Sequence, residues 1–310
     1  MSAPLVSVVI PCYNAARWLA PAIESALAQT WPATEIITVN DGSNDASPAI
    51  ARGYQPRGVR VVDQANRGAA AARNAGLRAA RGQFIQFLDA DDLLAPDKIE
   101  RQMRVLAPGS PDRLAAGAWA RFHGDPGAAA FHPYANWRDL AGVEFLQLHY
   151  EEGCMMHPAA WLAPRALLDR AGPWDESLTL NDDGEYFARV VLASDGIVFC
   201  PDARSYYRSG IAASLSGRTD RRSLDSLFRS VDLTTRHLLA ADRSPRSLAA
   251  AAYAWKWTAF ELHPAAPDLS RAAERNSRLL GGSPRPFPAG GRFQIASRFL
   301  GWRLAKRLFG

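Results

Sequence analysis

Three aspartates follow a short apolar run near residue 90. The run covers 84–88, and Asp89, Asp91 and Asp92 come directly after it. In an extended backbone the side chains alternate, so Asp89 and Asp91 would point to the same side. Two adjacent carboxylates repel each other, and a hard cation such as Mg²⁺ or Mn²⁺ relieves that repulsion, usually together with substrate phosphates. The pattern indicates a metal and phosphate site. The simpler alternative is a solvated acidic loop before a helix.

Further polar side chains follow other apolar runs. Asp41 comes after the run 35–39, and its carboxylate can accept hydrogen bonds from a nucleobase ring or from ribose hydroxyls. An Asp-Gly turn is the alternative explanation, because both residue types favour turns. Arg73 stands in an alanine-rich stretch with a helical pattern. Its guanidinium can pair with a diphosphate or a base carbonyl, and a solvated helix face explains it equally well.

The elements that must position these residues alternate between strand and helix. Four short apolar runs are typical of buried strands, namely 6–10, 35–39, 59–62 and 84–88. A helical pattern lies between each run and the next, which predicts an α/β fold with a Rossmann-like, mostly parallel sheet flanked by helices. Parallel strands end at one edge, so the loops 11–14, 40–43 and 89–92 are expected to converge on one crevice.

The composition restricts the class of protein. The chain has 310 residues, 48% of them hydrophobic, which is enough for a large core in one or two domains. It has no apolar run near the ~18 residues of a spanning helix, no secretory signal, and three cysteines without metal-ligand spacing. These features predict a reduced, cytoplasmic protein. The net charge of +5 suits an anionic ligand or membrane surface, and no nucleic-acid motif accompanies it, so no nucleic-acid partner is expected.

Four motifs in residues 5–106 resemble the catalytic domain of the family-two glycosyltransferases. They are Val-Ile-Pro-Cys-Tyr-Asn at 9–14, Asn-Asp-Gly-Ser-Asn-Asp at 40–45, Asn-Arg-Gly at 66–68 with Ala-Arg-Asn-Ala-Gly at 72–76, and Phe-Leu-Asp-Ala-Asp-Asp at 87–92. The resemblance implies a GT-A fold and an inverting, hexosyl-type transferase that uses a nucleotide sugar, with UDP as the first choice. The family more often has Asp at the position of Asn40. This difference does not affect the role that the resemblance implies for Asp41.

The resemblance also implies roles for single residues. The nucleotide-sugar donor would be held by residues at the strand ends, namely Pro11, Tyr13, Asn14, Asp41, Arg73, Asp89 and Ala90. Asp91, together with Asp89, would hold a divalent metal, Mn²⁺ or Mg²⁺, on the diphosphate. In many relatives a His that can bind the metal follows the segment that corresponds to 206–208. This chain has Ser209 and Gly210 there instead. The metal is therefore expected to have fewer protein ligands here, or to be needed less than in those relatives.

The acidic segment 181–189 resembles the catalytic helix of the family. There an acidic pair opens a helix, and an Arg follows the second acid by six residues, as Arg189 follows Asp183. This register implies that Asp183 is the general base, with Asp182 in place of the usual Glu. From the residues alone, acids that complement a helix dipole are the preferred explanation.

Acceptor specificity is predicted to lie within 115–180. His157, Trp161 and Trp174 are the candidate contacts, and Trp174 stands in a turn at 172–176 that resembles the family's Gly-x-Phe-Asp-Glu. An aromatic ring can cover one face of a sugar, but a buried place in the core is the alternative for each of them. The expected acceptor is a hydroxyl-bearing glycan, a lipid-linked molecule or a small molecule.

The predicted domains are a GT-A catalytic domain and a helical extension. The catalytic domain covers 1–215 and consists of a nucleotide-sugar-binding half, 1–107, and an acceptor-binding half, 108–215. The helical extension covers 216–310. The last stretch, 292–309, mixes aromatic and basic residues in one predicted helix. That helix could lie on an anionic membrane at the inner membrane face, on its own domain, or on a second subunit of a homodimer, and the pattern does not distinguish these.

Two other functions remain compatible with the sequence. One is a non-catalytic protein that binds a nucleotide sugar or scaffolds a polysaccharide assembly, since the His is missing and Asp182 departs from the family's Glu. The other, less favoured, is a sugar nucleotidyltransferase. Such enzymes place a glycine-rich loop after the first strand, and residues 10–14 contain no glycine.

Overall fold

The computed structural model of the protein describes residues 3–106, 112–210, 217–287 and 289–309. The strands among these residues are β1 (Val6–Cys12), β2 (Thr34–Asp41), β3 (Arg60–Gln64), β4 (Phe84–Phe87), β5 (Leu93–Leu94), β6 (Leu114–Phe122), β7 (Trp161–Pro164) and β8 (Ile197–Arg208). The helices of the catalytic region are α1 (Leu19–Leu27), α2 (Ser47–Gly53), α3 (Ala69–Ala79), α4 (Lys98–Leu106), α5 (Gly142–Glu152), α6 (Arg165–Ala171) and α7 (Asp182–Ala193). The later helices are α8 (Arg221–Ala241), α9 (Pro245–Leu262), α10 (Pro267–Leu279), α11 (Gly291–Leu300) and α12 (Trp302–Phe309).

The described strands form one curled sheet in the order β3-β2-β1-β4-β7-β6-β8-β5. The first four strands are parallel, as predicted, and their carboxyl ends lie at one edge. The second half is mixed: β7 runs antiparallel to β4 and β6, β6 and β8 are parallel, and β5 is antiparallel to β8. The predicted α/β fold with flanking helices is confirmed, with a mixed second half.

Alternating side chains of the central strands separate two cores. Val9, Ile37 and Val39 pack toward α3, while Val8 and Ile10 pack toward α1 and α4. Both faces of β1 are therefore buried, which explains its nearly continuous apolar sequence.

Helix α3 lies unusually close to the sheet. A Cβ atom on Gly76 would lie 2.3 Å from Cγ1 of Val9, so only glycine fits at this point of the helix. This close approach carries Arg73 and Asn74, one turn earlier on α3, to the edge where the parallel strands end. Both side chains are buried there.

The helices that follow the sheet continue its core. Leu238 of α8 is fully buried in the same cluster as Phe145 of α5 and Tyr186 of α7. Gln147 of α5 donates a buried hydrogen bond of 2.8 Å from Nε2 to Oγ of Ser247 in α9. The predicted boundaries at 107/108 and 215/216 lie outside the described residues, and the division into domains stays a prediction.

The last stretch differs from its prediction. The single helix predicted over 292–309 is two helices, α11 and α12, separated at Gly301. Gly301 has a φ of 73°, which breaks the helical path because a right-handed helix needs a negative φ. None of the described helices has the length and apolar character that crossing a bilayer requires.

Candidate functional site

The loops after β1 and β2 are joined by hydrogen bonds. Asn14, with a positive φ of 48°, accepts a 2.9 Å bond at Oδ1 from the amide of Asn44. The amide of Asn14 donates to Oγ of Ser43 at 3.0 Å. Pro11 is buried within β1, whereas Tyr13 at the tip of the loop is 49% exposed. Tyr13 is thus the exposed large apolar side chain of these loops.

Asp41, at the end of β2, organises the start of α3. Its carboxylate is 2% exposed and accepts bonds from Nε2 of Gln64 at 2.7 Å and from the amides of Arg67 and Gly68 at 2.9 and 2.8 Å. The adjacent Gly42 has a φ of 69°, so the turn explanation also holds. Asp41 thus lies at the predicted edge, and a contact with a nucleotide stays a prediction.

Arg73 joins two parts of the chain that are far apart in sequence. Its Nη2 donates to Oδ1 of Asp89 at 2.7 Å, and its Nη1 donates to Oδ2 of Asp182 at 2.8 Å. Burial alone would lower the pKa of Arg73, but the charges of Asp89 and Asp182 outweigh it and raise that pKa. The structure therefore brings the acids after β4 and at the start of α7 together around one buried cation.

The two acids of α7 have different surroundings. Asp182 accepts the amide of Asp183 at Oδ1 and Arg73 at Oδ2, so both of its oxygens are engaged. Asp183 accepts the amide of Gly184 at Oδ1, and its Oδ2 has no hydrogen-bond partner among the described residues. Burial raises the pKa of Asp182 to about 6, against the opposing charge of Arg73, and burial also raises the pKa of Asp183. A free carboxylate oxygen with a raised pKa suits a proton acceptor.

The acidic loop after β4 concentrates negative charge at the edge of the sheet. Burial, and then the charges of Asp92 and Asp89, raise the pKa of Asp91 to about 7. Among the described residues no group of three or more His, Cys, Asp or Glu side chains is placed to hold a metal ion. Mg²⁺ and Mn²⁺ are commonly held by one or two carboxylates plus phosphates. Asp89 and Asp91, with their crowded negative charge, fit a metal of that kind, one that binds together with a diphosphate.

The third acid of this loop is part of a buried network. Oδ2 of Asp92 lies 2.9 Å from Nδ1 of His157, whose Nε2 lies 2.9 Å from Oγ of Ser205. Burial lowers the pKa of His157 to about 3 and raises the pKa of Asp92, so the ring is neutral and lies between a carboxyl group and a hydroxyl group. His157 is 1% exposed. The acceptor contact predicted for it does not agree with this position behind the acidic loop.

Trp174 supports Arg73 and has no free face for a sugar. The indole stacks on Tyr186 with ring centroids 3.9 Å apart, and the guanidinium of Arg73 lies 4.5 Å from the centroid of the indole. Asn74 fixes the main chain of Trp174 with hydrogen bonds of 2.9 and 3.0 Å. The core alternative therefore describes Trp174 better than the predicted acceptor contact.

Two serines of α8, which the sequence reasoning missed, hold the segment before the acids of α7. Oγ of Ser226 accepts the amides of Thr179 and Leu180 at 2.8 and 3.0 Å. Oγ of Ser230 accepts Nδ2 of Asn181 at 2.8 Å and donates to its carbonyl at 2.7 Å. The only sequence signal was a serine pair four residues apart on a predicted helix, which is too common to interpret.

A cavity of about 200 Å³ lies between α5, α7, α8 and α9, and its lining includes Asn181 and Gly184, which flank the acidic pair of α7. Its wall is mostly apolar and includes Leu146, Val231 and Trp257, with Asn181, His149 and Glu261 among its polar members. Nδ1 of His149 donates to the carbonyl of Cys154 at 2.6 Å, and burial lowers the pKa of the ring. The ring is therefore neutral with Nε2 as an acceptor, which can position a hydroxyl group.

Comparison with known proteins identifies related chains. The model of the family described as "Glycosyl transferase family 2" matches residues 7–169. A Bacillus subtilis protein, "Putative glycosyltransferase EpsH", is 45% identical over 107 residues, which are 34% of this chain and 31% of the relative. A Rickettsia typhi protein, "Uncharacterized glycosyltransferase RT0329", is 43% identical over 191 residues, which are 62% of this chain and 60% of the relative. The chain thus spans about a third to three fifths of these relatives.

A solved structure shares the fold. Residues 1–349 of S. aureus TarS in complex with UDP superpose with a TM-score of 0.67 over 98% of this chain and 90% of that chain. The sequences are 17% identical, so this likeness concerns the fold. It extends beyond the sheet to the helices after residue 217, which the family model does not reach.

Proposed function

The chain belongs to glycosyl transferase family 2, and from this premise we propose that it moves a hexose from a nucleotide sugar to a hydroxyl group with inversion at the anomeric carbon. The observation that supports the proposal most directly is the meeting of Asp89 and Asp182 on Arg73. An acidic loop suited to a diphosphate and a helix start suited to a base thereby share one site. UDP is the first nucleotide to test, because the structure of S. aureus TarS contains it.

The donor would lie along the carboxyl ends of β1, β2 and β4. Tyr13, exposed at the tip of the first loop, would cover the nucleotide. Asp89 and Asp91 would hold a divalent metal, which when bound supplies positive charge to the departing diphosphate. Arg73 holds Asp89 at Oδ1, so the carboxylate is oriented before any ligand arrives.

The acceptor would enter through the cavity between α5, α7, α8 and α9. Its hydroxyl oxygen attacks the anomeric carbon from the face opposite the diphosphate, the bond to the diphosphate oxygen breaks, and the hydroxyl proton passes to Oδ2 of Asp183. We assign the base to Asp183 rather than Asp182 because both oxygens of Asp182 are already engaged. Proton transfer to a positioned base contributes roughly 10²–10⁴-fold to the rate.

The proposal is tested by donor binding and transfer measured on the same variants. A panel of UDP-, GDP- and dTDP-sugars is screened by thermal shift with and without Mn²⁺. A donor at a hundred times its dissociation constant should stabilise the protein by about 2.7 kcal/mol. Asp91→Asn should lose the metal-dependent part of this stabilisation. Asp183→Asn should keep it and lose transfer, and the exposed Asp202→Asn serves as the matched control.

Three outcomes would contradict parts of the proposal. Near-normal turnover by Asp183→Asn would move the base to Asp182 or Glu185. Donor binding without hydrolysis or transfer to any acceptor of a glycan panel would favour a non-catalytic binding protein. Release of pyrophosphate from a nucleoside triphosphate and a sugar phosphate would favour a nucleotidyltransferase.

A further inference from the structure

Exposed apolar side chains are concentrated in the last two helices. Nine large hydrophobic residues are exposed within the described part of the chain, and six of them lie between 295 and 309. The six are Ile295, Phe299, Leu300, Leu304, Leu308 and Phe309. Phe299 is 84% exposed, a high value for a phenylalanine in a helix. Single exposed apolar residues are common on protein surfaces, whereas a contiguous cluster of them usually marks an interaction surface.

The two helices are fixed to the protein by their other faces. Phe293 of α11 and Ala305 of α12 are buried against Phe260 of α9. Trp302 donates from Nε1 to Glu274 of α10 at 3.0 Å, and Arg303 donates to the same carboxylate at 2.6 Å. The exposed residues therefore belong to helices that already have a packed inner face.

Positive charge is concentrated in the same region. Residues 267–310 contain nine Arg and Lys against two Asp and Glu, a net charge of +7, while the whole chain carries +5. The first 266 residues therefore carry −2, and the basic character of the protein belongs to its last three helices. Arg292, Arg298 and Arg307 are exposed and form no ion pair with another described residue.

We propose that the outer faces of α11 and α12 dock this protein on an anionic lipid membrane. Apolar side chains would enter the boundary between headgroups and acyl chains, and the arginines would contact lipid phosphates, as in other helices that lie in the interface. A second copy of the chain is a poorer occupant. Two copies of this surface would bring together the same excess of positive charge, from Arg292, Arg298 and Arg307 on each copy, and would repel each other.

The test is flotation of the full-length protein with vesicles. Phosphatidylcholine vesicles containing 30% phosphatidylglycerol are compared with pure phosphatidylcholine vesicles at 0.1 M NaCl. We expect at least tenfold stronger partitioning to the anionic vesicles. This preference should weaken at 0.5 M NaCl, where charges in water are screened over a few ångströms.

Two sets of variants separate the apolar and the charged contributions. Phe299→Ser with Leu308→Ser, and Arg292→Glu with Arg298→Glu and Arg307→Glu, should each reduce partitioning to anionic vesicles at least tenfold. Val105→Ser on α4 and Arg78→Glu on α3, both exposed and far along the chain from this surface, are the matched controls and should bind as the parent does. Circular dichroism verifies that each variant is folded.

Several outcomes would overturn the proposal. These are equal partitioning to neutral and anionic vesicles, no partitioning to either, or unchanged binding in both variant sets. A change from dimer to monomer in light scattering when Phe299 and Leu308 are replaced would also overturn it, because it would assign the surface to a second copy of the chain.

Discussion

Arg73 is the residue on which the two halves of the candidate site depend. The chain from β4 contributes Asp89 and the chain at the start of α7 contributes Asp182, and each accepts one arm of the same guanidinium. Nε of Arg73 is buried without a hydrogen-bond partner among the described residues. The guanidinium therefore serves the two carboxylates, and a diphosphate would have to share it or displace one of them.

We expect Arg73→Met to destabilise the protein by about 3–5 kcal/mol at pH 7, because it leaves two largely buried carboxylates without their partner. The loss should be smaller at pH 5. Burial already raises the pKa of Asp182 to about 6. Without Arg73, Asp182 therefore takes up a proton in the native state as the pH falls, and this protonation removes its unpaired charge. Urea unfolding at both pH values measures this. Arg78→Met, exposed on the same helix, is the control, and an equal loss at both pH values would attribute the effect to packing.

The raised pKa of Asp91 predicts that metal-dependent donor binding changes with pH. Burial and the adjacent acids raise its pKa to about 7, and a metal binds the ionised carboxylate. We expect the affinity for UDP with Mn²⁺ to rise from pH 5.5 to about 7 and then level off, by roughly tenfold per pH unit in the acidic range. Calorimetric titration measures it, with UDP alone as the control. A flat profile with metal would show that Asp91 is not a ligand.

The sequence singled out the acids but not the residue that joins them, and the roles predicted for these acids stay predictions. Asp89 and Asp183 could be singled out because carboxylates after a buried strand, or at a helix start, form local patterns. The pairing of Arg73 with Asp182 spans 109 positions and has no local pattern. The same limit explains His157 and Trp174, since an isolated aromatic residue looks alike in sequence whether it contacts a ligand or packs in the core.

At the scale of elements, the strands of the parallel half were predictable to within two residues. Continuous apolar runs are enforced there by burial on both faces, as in β1. The position of β7 between β4 and β6 was not predictable, because the sequence of a four-residue strand does not indicate which strands it pairs with. The break at Gly301 was also missed, since an isolated glycine is tolerated in many helices.

Helix α8 contributes to the site by holding the start of α7. We expect Ser226→Ala with Ser230→Ala to lower kcat at least fivefold while the dissociation constant for the donor stays within twofold, because the acids of α7 lose their fixed position. The cost in stability should be about 1–3 kcal/mol for the lost hydrogen bonds. Ser277→Ala, which removes a buried serine bond of 2.7 Å to Ala252 between α10 and α9, is the matched control. Equal loss of kcat in this control would indicate general loosening.

At the scale of the whole molecule, the helices after residue 217 share a core with the sheet. Leu238 of α8 belongs to the cluster that contains Phe145, Trp174 and Tyr186. The cavity next to Asn181 and Gly184 is lined on one side by α5 and the start of α7 and on the other by α8 and α9. The helices after residue 217 could be predicted from their periodicity. That α8 and α9 line this cavity could not, because periodicity does not tell which element a helix packs against.

A shared core predicts that the sheet and the later helices unfold together. We expect Leu238→Ala to lower the free energy of unfolding by about 2–4 kcal/mol, since the residue is fully buried. Hydrogen exchange should show equal loss of protection in β1 and in α9, although Leu238 lies in neither element. Leu308→Ala, an equal truncation at an exposed position of α12, should leave both unchanged. Loss of protection confined to α8 and α9 would show instead that the helices form a separate folding unit, with its boundary near the predicted position 216.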